Sequence, residues 1–300
     1  MKKLRPTARL DERPFWEEDE GPRGPTAEVQ TSSPIPSVVD GYRIGAILGQ
    51  GATATVFAAT DREGRPWALK AILADDTSAA NVGREAKLLA KVRHASIPRV
   101  DRVGTLPSGR PYLVMERVEG RPLSDVLAED GPLPWLEVKA LLVDLLDALA
   151  ALHGEGLIHR DVKPANVLIR ATAPRLSLVD FGITRQVKGG LVPPTTAHVV
   201  RGTLEYMSPE QLAGEPIDAS SDVFSAGVLA FEAATGEVPW GTGGGGVQGR
   251  RKAITRAPSL LRPRQIPARD FATLTRLLAV DRVSRFPSAH VARAQLALTR

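Results

Sequence analysis

The sequence predicts an α+β protein of two lobes: a small antiparallel β-sheet with one helix, then a larger, mainly helical part. Three observations carry this. Between residues 42 and 116, short alternating apolar runs are separated by Gly-, Pro- and Ser-containing turns, the pattern of strands and hairpins. Beyond Gly120 the apolar spacing becomes helical, with long runs such as 136–153. A glycine-bearing turn, Gly49-Gln50-Gly51, lies between the first two strand-like runs. A β-rich lobe joined to a helical one leaves a cleft, where ligand sites tend to lie.

The elements follow in order. Residues 42–48, 55–60 and 66–73 read as strands, and Glu85, Leu88, Leu89 and Val92 fall at helical spacing in a helix ending near His94. Residues 100–106 and 111–116 form a further hairpin through Pro107-Ser108-Gly109. A long helix over 136–153 takes Gly154 as its C-cap. Two short apolar segments, 167–170 and 175–179, precede an irregular stretch to about Glu210. Helices are expected over 221–235, 268–278 and 288–298, and residues 241–249, with six glycines in nine positions, read as a surface loop. Residues 1–40 read as a disordered tail: Pro6, Pro14, Pro22, Pro25, Pro34 and Pro36 flank an acidic run at 17–20, with little apolar periodicity. The expected division is a tail over 1–40, a small lobe over 41–119 and a large lobe over 120–297.

Composition narrows the chemistry. The 300 residues contain no cysteine, which removes disulfide frameworks, thiolate zinc sites and thiol nucleophiles together. The apolar runs near 141–152 and 223–234 are too short and too interrupted to span a bilayer. The basic start leads into no apolar segment of a secretory signal, so a cytoplasmic location and no membrane partner are expected. The formal charge of +5 is unevenly spread: residues 241–300 carry twelve basic and two acidic side chains. That excess reads either as the solvated basic faces of the last helices or as a surface, over region 250–300, for an acidic partner. Nucleic acid is disfavoured, because no aromatic residues interleave with the arginines.

Three segments carry the candidate chemistry. In Leu48-Gly49-Gln50-Gly51-Ala52-Thr53-Ala54-Thr55-Val56, glycines at a tight turn let backbone N–H groups approach phosphate oxygens. No helix follows them, which argues against a dinucleotide-binding fingerprint. Lys70, in Ala68-Leu69-Lys70, lies on a strand from which it can reach phosphates, and Glu85 on the next helix is placed to hold it. The segment His159-Arg160-Asp161-Val162-Lys163-Pro164-Ala165-Asn166 puts a base, a cation and an oxygen ligand in one loop. Asp180-Phe181-Gly182 supplies a second carboxylate. Asn166 and Asp180 together offer the oxygen donors that Mg²⁺ wants beside substrate phosphates.

In that order and spacing these motifs resemble the eukaryotic-type (Hanks-type) serine/threonine protein kinases of bacteria, over about residues 42–297. Gly202-Thr203, Ser208-Pro209-Glu210, Ser221-Asp222 and Arg285 match the family's peptide platform, its Ala-Pro-Glu motif, its structural Asp and the late Arg that pairs with the motif's glutamate. The resemblance implies a bilobal kinase fold that transfers the γ-phosphate of ATP to protein Ser or Thr hydroxyls. Lys70, held by Glu85, would contact the α- and β-phosphates. Asp180 and Asn166 would hold Mg²⁺, with Mn²⁺ a possible substitute. Asp161 would accept the hydroxyl proton and Lys163 would steady the γ-phosphate. Val56, Ala68 and Leu168 would sandwich adenine, with Glu116 and Val118, after Met115, bonding it through the backbone. His159 and Phe181 read as packing residues. Lys163 goes with Ser/Thr specificity in such kinases. Arg160 before Asp161 implies that a phosphate on Thr195 or Thr196 orders the activation segment, with Thr184 and Thr203 disfavoured as sites.

Two departures stand out: Ala54 replaces the third glycine, and Ser208 replaces the alanine of Ala-Pro-Glu. Neither removes a charged group. A pseudokinase scaffold would lack a counterpart of Lys70, Asp161 or Asp180. A small-molecule kinase of the aminoglycoside phosphotransferase type would lack the peptide platform.

Overall fold

A computed structural model describes residues 35–51, 54–73, 79–181, 186–187, 190–191, 204–241, 246–255 and 260–298. The chain divides into two units, Met1–Ile35 and Pro36–Arg300, and the elements below belong to the second. The expectations for the tail over 1–34 and for Ala52, Thr53, Gly182, Thr184, Thr195, Thr196, Gly202 and Thr203 fall outside the described residues.

The small lobe is a six-stranded antiparallel sheet in the order β1-β2-β3-β4-β6-β5. Its strands are β1 (Val38–Val39), β2 (Tyr42–Gln50), β3 (Ala54–Thr60), β4 (Pro66–Ile72), β5 (Val100–Thr105) and β6 (Pro111–Glu116). The sheet therefore includes residues before 41, because Val38 and Val39 pair with Arg43 and Tyr42. Strand β4 is buried from Trp67 to Ile72, between β3 and β6, and sets the register that matters for the site: Val56 of β3 lies across from Lys70. Helix α1 (Ala79–Leu89) lays Val82, Ala86 and Leu89 on the sheet. It stops at Leu89, five residues before His94, because its last turn tightens into i→i−3 bonds, Lys91 N–H to Leu88 O and Val92 N–H to Leu89 O. Val92 stays in the core without being in the helix.

The large lobe is built on two buried helices, α3 (Trp135–Gly154) and α5 (Ala219–Thr235), preceded by β7 (Arg121–Pro122) and α2 (Leu123–Asp130). Helix α3 runs through Gly154, the expected cap; the left-handed turn comes two residues later, at Gly156 with φ +71°. Helix α5 is buried along almost its whole length, capped by Asp218 at one end and by left-handed Gly236 at the other. It packs against α7 (Ala268–Leu277), where a Cβ on Gly227 would lie 2.9 Å from the Leu277 Cβ. Helix α8 (Ala289–Leu298) closes the lobe against α3. Strands β8 (Val167–Ile169) and β9 (Leu176–Leu178) form a small sheet with β7.

The glycine-rich run departs from its expected loop. Residues 242–245 are not described, but α6 (Gly246–Thr255) starts inside the run. The reason is tertiary. The fully buried Arg250 donates from α6 to the carbonyls of Pro239, Gly241 and Glu205, which offsets the poor helix propensity of Gly246 and Gly249. Among the described residues no helix is long and apolar enough to cross a membrane.

Candidate active site

The interior of the small-lobe sheet and the loops of the large lobe meet around Lys70. Its side chain is buried, and its ammonium donates to Asp180 Oδ1 at 2.5 Å and to the Phe181 carbonyl at 3.3 Å. Asp180 follows β9 with φ +60°, a left-handed backbone uncommon for a residue with a Cβ. Its carboxylate is half exposed to the cleft. Desolvation works against its ionisation, but the Lys70 ammonium outweighs it and holds the carboxyl below its ordinary range.

The loop between α3 and β8 brings the other candidates together. Lys163 Nζ lies 3.0 Å from Asp161 Oδ2. Asn166 Nδ2 donates to the Asp161 carbonyl at 2.8 Å and to Asp161 Oδ2 at 3.1 Å. The Asn166 carbonyl accepts Val179 N–H at 2.9 Å, which ties this loop to the residue before Asp180. With its amide nitrogen so engaged, Asn166 has its side-chain oxygen left to offer, and Asp180 its second carboxylate oxygen. A hard cation is bound by such an amide–carboxylate oxygen set, so these residues fit a divalent metal of the Mg²⁺ kind.

The loop itself hangs on α5. Asp222, buried in the first turn of α5, accepts His159 N–H at 2.8 Å, Arg160 N–H at 2.9 Å and His153 Nε2 at 2.8 Å. Those two amides are presented because Arg160 takes φ +68°. Burial opposes charge on Asp222, yet the bond from His153 and the loop amides hold it below the usual carboxylate range. His159 is buried against the Phe181 ring, 5.2 Å between centroids, with Nε2 donating to Val179 O and Nδ1 accepting Asp161 N–H. Its pKa is lowered by burial, as suits a neutral ring that packs and orients. Motif matches downstream also find partners: Arg285 forks onto both oxygens of Glu210 at 2.7 and 2.8 Å, and Ser208 caps α4 (Pro209–Ala213) through a box with Gln211.

One expected pairing is absent. Glu85 does not hold Lys70. Its carboxylate is on Arg160, 2.9 and 3.2 Å from Nη1, and Lys70 is on Asp180. Both acids have been exchanged relative to the expectation, because Arg160, with its left-handed backbone, brings a guanidinium to the inner end of α1. Desolvation exceeds the help from Arg160, so the Glu85 carboxyl titrates above its ordinary range.

Around the nucleotide-side candidates, Ala68 and Met115 are buried side by side in register, and Val56 packs against the same core. Leu168 is half-buried on β8, where Gly120 passes so closely that a Cβ would meet the Ile169 carbonyl at 2.7 Å. Glu116 spends its N–H on the Arg99 carbonyl at 2.9 Å, leaving its own carbonyl as the group for a ligand. Val118 follows, half-buried. Leu48, Gly49, Gln50 and Gly51 lie at the exposed end of the β2–β3 hairpin, where a Cβ on Gly49 would meet nothing within 4 Å; Ala54 and Thr55 begin β3. Sequence reasoning missed His153 and Gln211, which donates to the Arg160 carbonyl at 3.0 Å. No local signal marks either, because each acts across the fold.

Comparisons with known proteins agree with this geometry. Residues 42–295 match the protein kinase domain. The chain is 39% identical over 211 residues to the probable serine/threonine-protein kinase PknB of Corynebacterium glutamicum, covering 68% of this chain and 32% of that protein. It is 40% identical over 213 residues to PknB of Mycobacterium leprae, covering 68% and 34%, and 38% identical over 221 residues to PknL of Mycobacterium bovis, covering 71% and 54%. It thus spans about a third of the length of the PknB proteins it matches. Among solved structures, that of Rad53 1-466 in complex with AMP-PNP aligns with TM-score 0.68 and 29% identity, covering 85% of this chain and 64% of that one. A cleft of this make-up, the matched span and identities near 40% lead to one conclusion: this chain belongs to the protein kinase family.

Proposed function

We propose that the chain is a serine/threonine protein kinase that moves the γ-phosphate of ATP to hydroxyls of protein substrates in cytoplasmic signal transduction. One observation carries the reading: Lys70, Asp180 and the loop of Asp161, Lys163 and Asn166 come from three separate stretches of the chain and are joined by hydrogen bonds, Lys70 to Asp180 and Val179 N–H to the Asn166 carbonyl. In this reading the glycine turn and Lys70 bind the phosphates, and Val56, Ala68 and Leu168 take adenine. Asn166 and Asp180 hold Mg²⁺, or Mn²⁺ in its place. A divalent cation supplies charge neutralisation at the phosphates. Asp161 orients the substrate hydroxyl and accepts its proton, while Lys163 balances charge on the transferred group. Phosphorylation of Thr195 or Thr196 is proposed as the step that engages Arg160.

The Glu85–Arg160 and Lys70–Asp180 pairs mark a resting arrangement in this reading. Productive binding needs Lys70 turned to phosphate, and a phosphate on the activation segment would compete with Glu85 for Arg160. The test is transfer of labelled phosphate from Mg·ATP to the chain itself and to a basic protein substrate, with mass-spectrometric site mapping. Wild type is expected to label Thr195 or Thr196. Asp161→Asn should lose about 10²–10⁴-fold of the rate, the usual worth of a general base, while melting at the wild-type temperature. Equal labelling by both proteins would remove Asp161 from the chemistry. ATP binding without any transfer would leave a nucleotide-binding scaffold.

A further inference from the structure

The basic excess of residues 241–300 divides into structural and surface groups. Arg250 and Arg285 are fully buried. Arg276 lies over the Phe286 ring, Arg282 pairs with Asp218 and Arg293 with Asp147. Arg264 and Arg269 are exposed and have no ion-pair partner among the described residues; Arg262, also exposed, donates only to the Ile266 carbonyl.

One of these unspent charges, on Arg269, stands beside a recess. Arg269 lines a groove of about 730 Å³ formed by the starts of α3 and α7 and the end of α8. The groove is otherwise mostly apolar, with Trp135, Leu136, Pro267 and Ala297 on its walls. Its one acid, Asp270, is paired within the fold with the Lys139 ammonium at 3.0 Å and accepts the Trp135 indole N–H at 2.7 Å. The balance of charge left at the groove is therefore positive. Leu136 is 80% exposed and Leu298, next to Ala297, is 74% exposed. Folding alone gives no reason for large apolar side chains to stand in water beside a recess of ligand-binding size.

We propose that this groove docks a segment of a partner protein in which leucine or aromatic side chains are flanked by carboxylates, an acidic amphipathic peptide. Charge complementarity selects the acid, through Arg269 on the groove wall, with Arg264 next in sequence to Gln265, which also lines it. The recess selects inserted side chains, which a flat lipid surface does not offer. None of the residues lining the groove belongs to the cleft site, so docking is separable from phosphate transfer and would serve to recruit a substrate or regulator.

The test needs no ATP, so its outcome is independent of the kinase reading. A random-peptide phage library is panned on the full chain and counter-selected on a Leu136→Asp, Arg269→Glu double variant. Enriched peptides are then titrated, fluorescein-tagged, by anisotropy. The expected result is enrichment of Asp/Glu-rich peptides bearing Leu, Phe or Trp. Their affinity should fall about tenfold or more in Arg269→Glu and in Leu136→Asp separately, and weaken with added salt, while both variants keep the wild-type melting temperature. Failure of enrichment, selection of neutral or basic peptides, or binding unaffected by either substitution would overturn the proposal. So would sedimentation with phosphatidylserine vesicles in the absence of selected acidic peptides, which would assign the groove to lipid. Dimerisation abolished by Leu136→Asp would assign it to a second copy.

Discussion

Ion pairs inside the large lobe and ion pairs across the cleft are built from the same side chains but behave oppositely. Glu210 and Arg285 are both buried, bonded to each other twice, and each has further partners: Ser221 on Glu210, and the Ala279, Val280 and Ser220 carbonyls on Arg285. Burial disfavours charge on Glu210, but its bonds to Arg285 and Ser221 win and bring its pKa down to about 2. Across the cleft, Glu85 has Arg160 as its one hydrogen-bond partner among the described residues and its pKa moves up, because the desolvation is not matched. The lesson is that partner number, not burial, separates a fixed pair from an exchangeable one. A carboxylate whose hydrogen bonds all go to one cation has no second partner to hold it in place, which is the basis of the exchange proposed for Lys70 and Glu85.

The largest test of this contrast removes a partner from the fixed pair. Arg285→Ala leaves Glu210 charged and buried and is expected to cost about 3–5 kcal/mol in urea unfolding, enough to threaten folding itself. Glu210→Gln is the milder route. The lowered pKa implies on the order of 3 kcal/mol of stability that is present above pH ~4.5 and disappears as pH falls toward 2. Acid-unfolding curves of the Gln variant should lack that component. An unchanged curve would break the contrast.

A smaller effect is expected from packing. Gly227→Ala forces a Cβ against Leu277 across the α5–α7 contact and should destabilise by about 1–3 kcal/mol. Gly49→Ala in the open glycine turn should change the melting temperature little while weakening nucleotide binding, since its empty surroundings are where phosphate oxygens would come. Equal melting shifts for the two would mean that the large lobe is no tighter than the turn.

The smallest expected effect is the most diagnostic. Glu85→Gln should leave stability at pH 7 unchanged or slightly higher, because a raised pKa means the fold tolerates the neutral form better. The sign follows from linkage: the Glu85 contribution is greatest below its unfolded pKa and declines as pH rises through the folded one. Thermal melts from pH 4 to pH 7, comparing wild type with Glu85→Gln, would read this; a clear loss of stability in the variant would return Glu85 to the fixed class.

Much of this was legible in the sequence because the chemistry sits in short contiguous strings. Asp161, Lys163 and Asn166 occupy one loop, and a loop of that composition has few uses. Strands 66–73 and 111–116 announced themselves by apolar content. Arg285 and Glu210 were paired from their motifs although 75 positions apart. What stayed hidden was decided by tertiary partners. Whether Lys70 meets Glu85 or Asp180 depends on where Arg160 points, and that depends on a left-handed residue no propensity forecasts. Helix α6 emerges from a glycine run because one buried arginine collects three carbonyls. His153 looked like the end of a helix, and its role appears only once α5 lies beside it.

Asp222 also sets how the loop before the catalytic candidates breathes. The amide hydrogens of His159 and Arg160 are both locked onto a carboxylate of α5, a helix buried along almost its whole length. They can meet deuterated water only when the start of α5 parts from the loop, so two loop amides should exchange as slowly as the helix interior. Loops in enzymes are usually the first places to open. Here the two amides before Asp161 are expected to open no more easily than the start of α5, which hydrogen exchange would read directly.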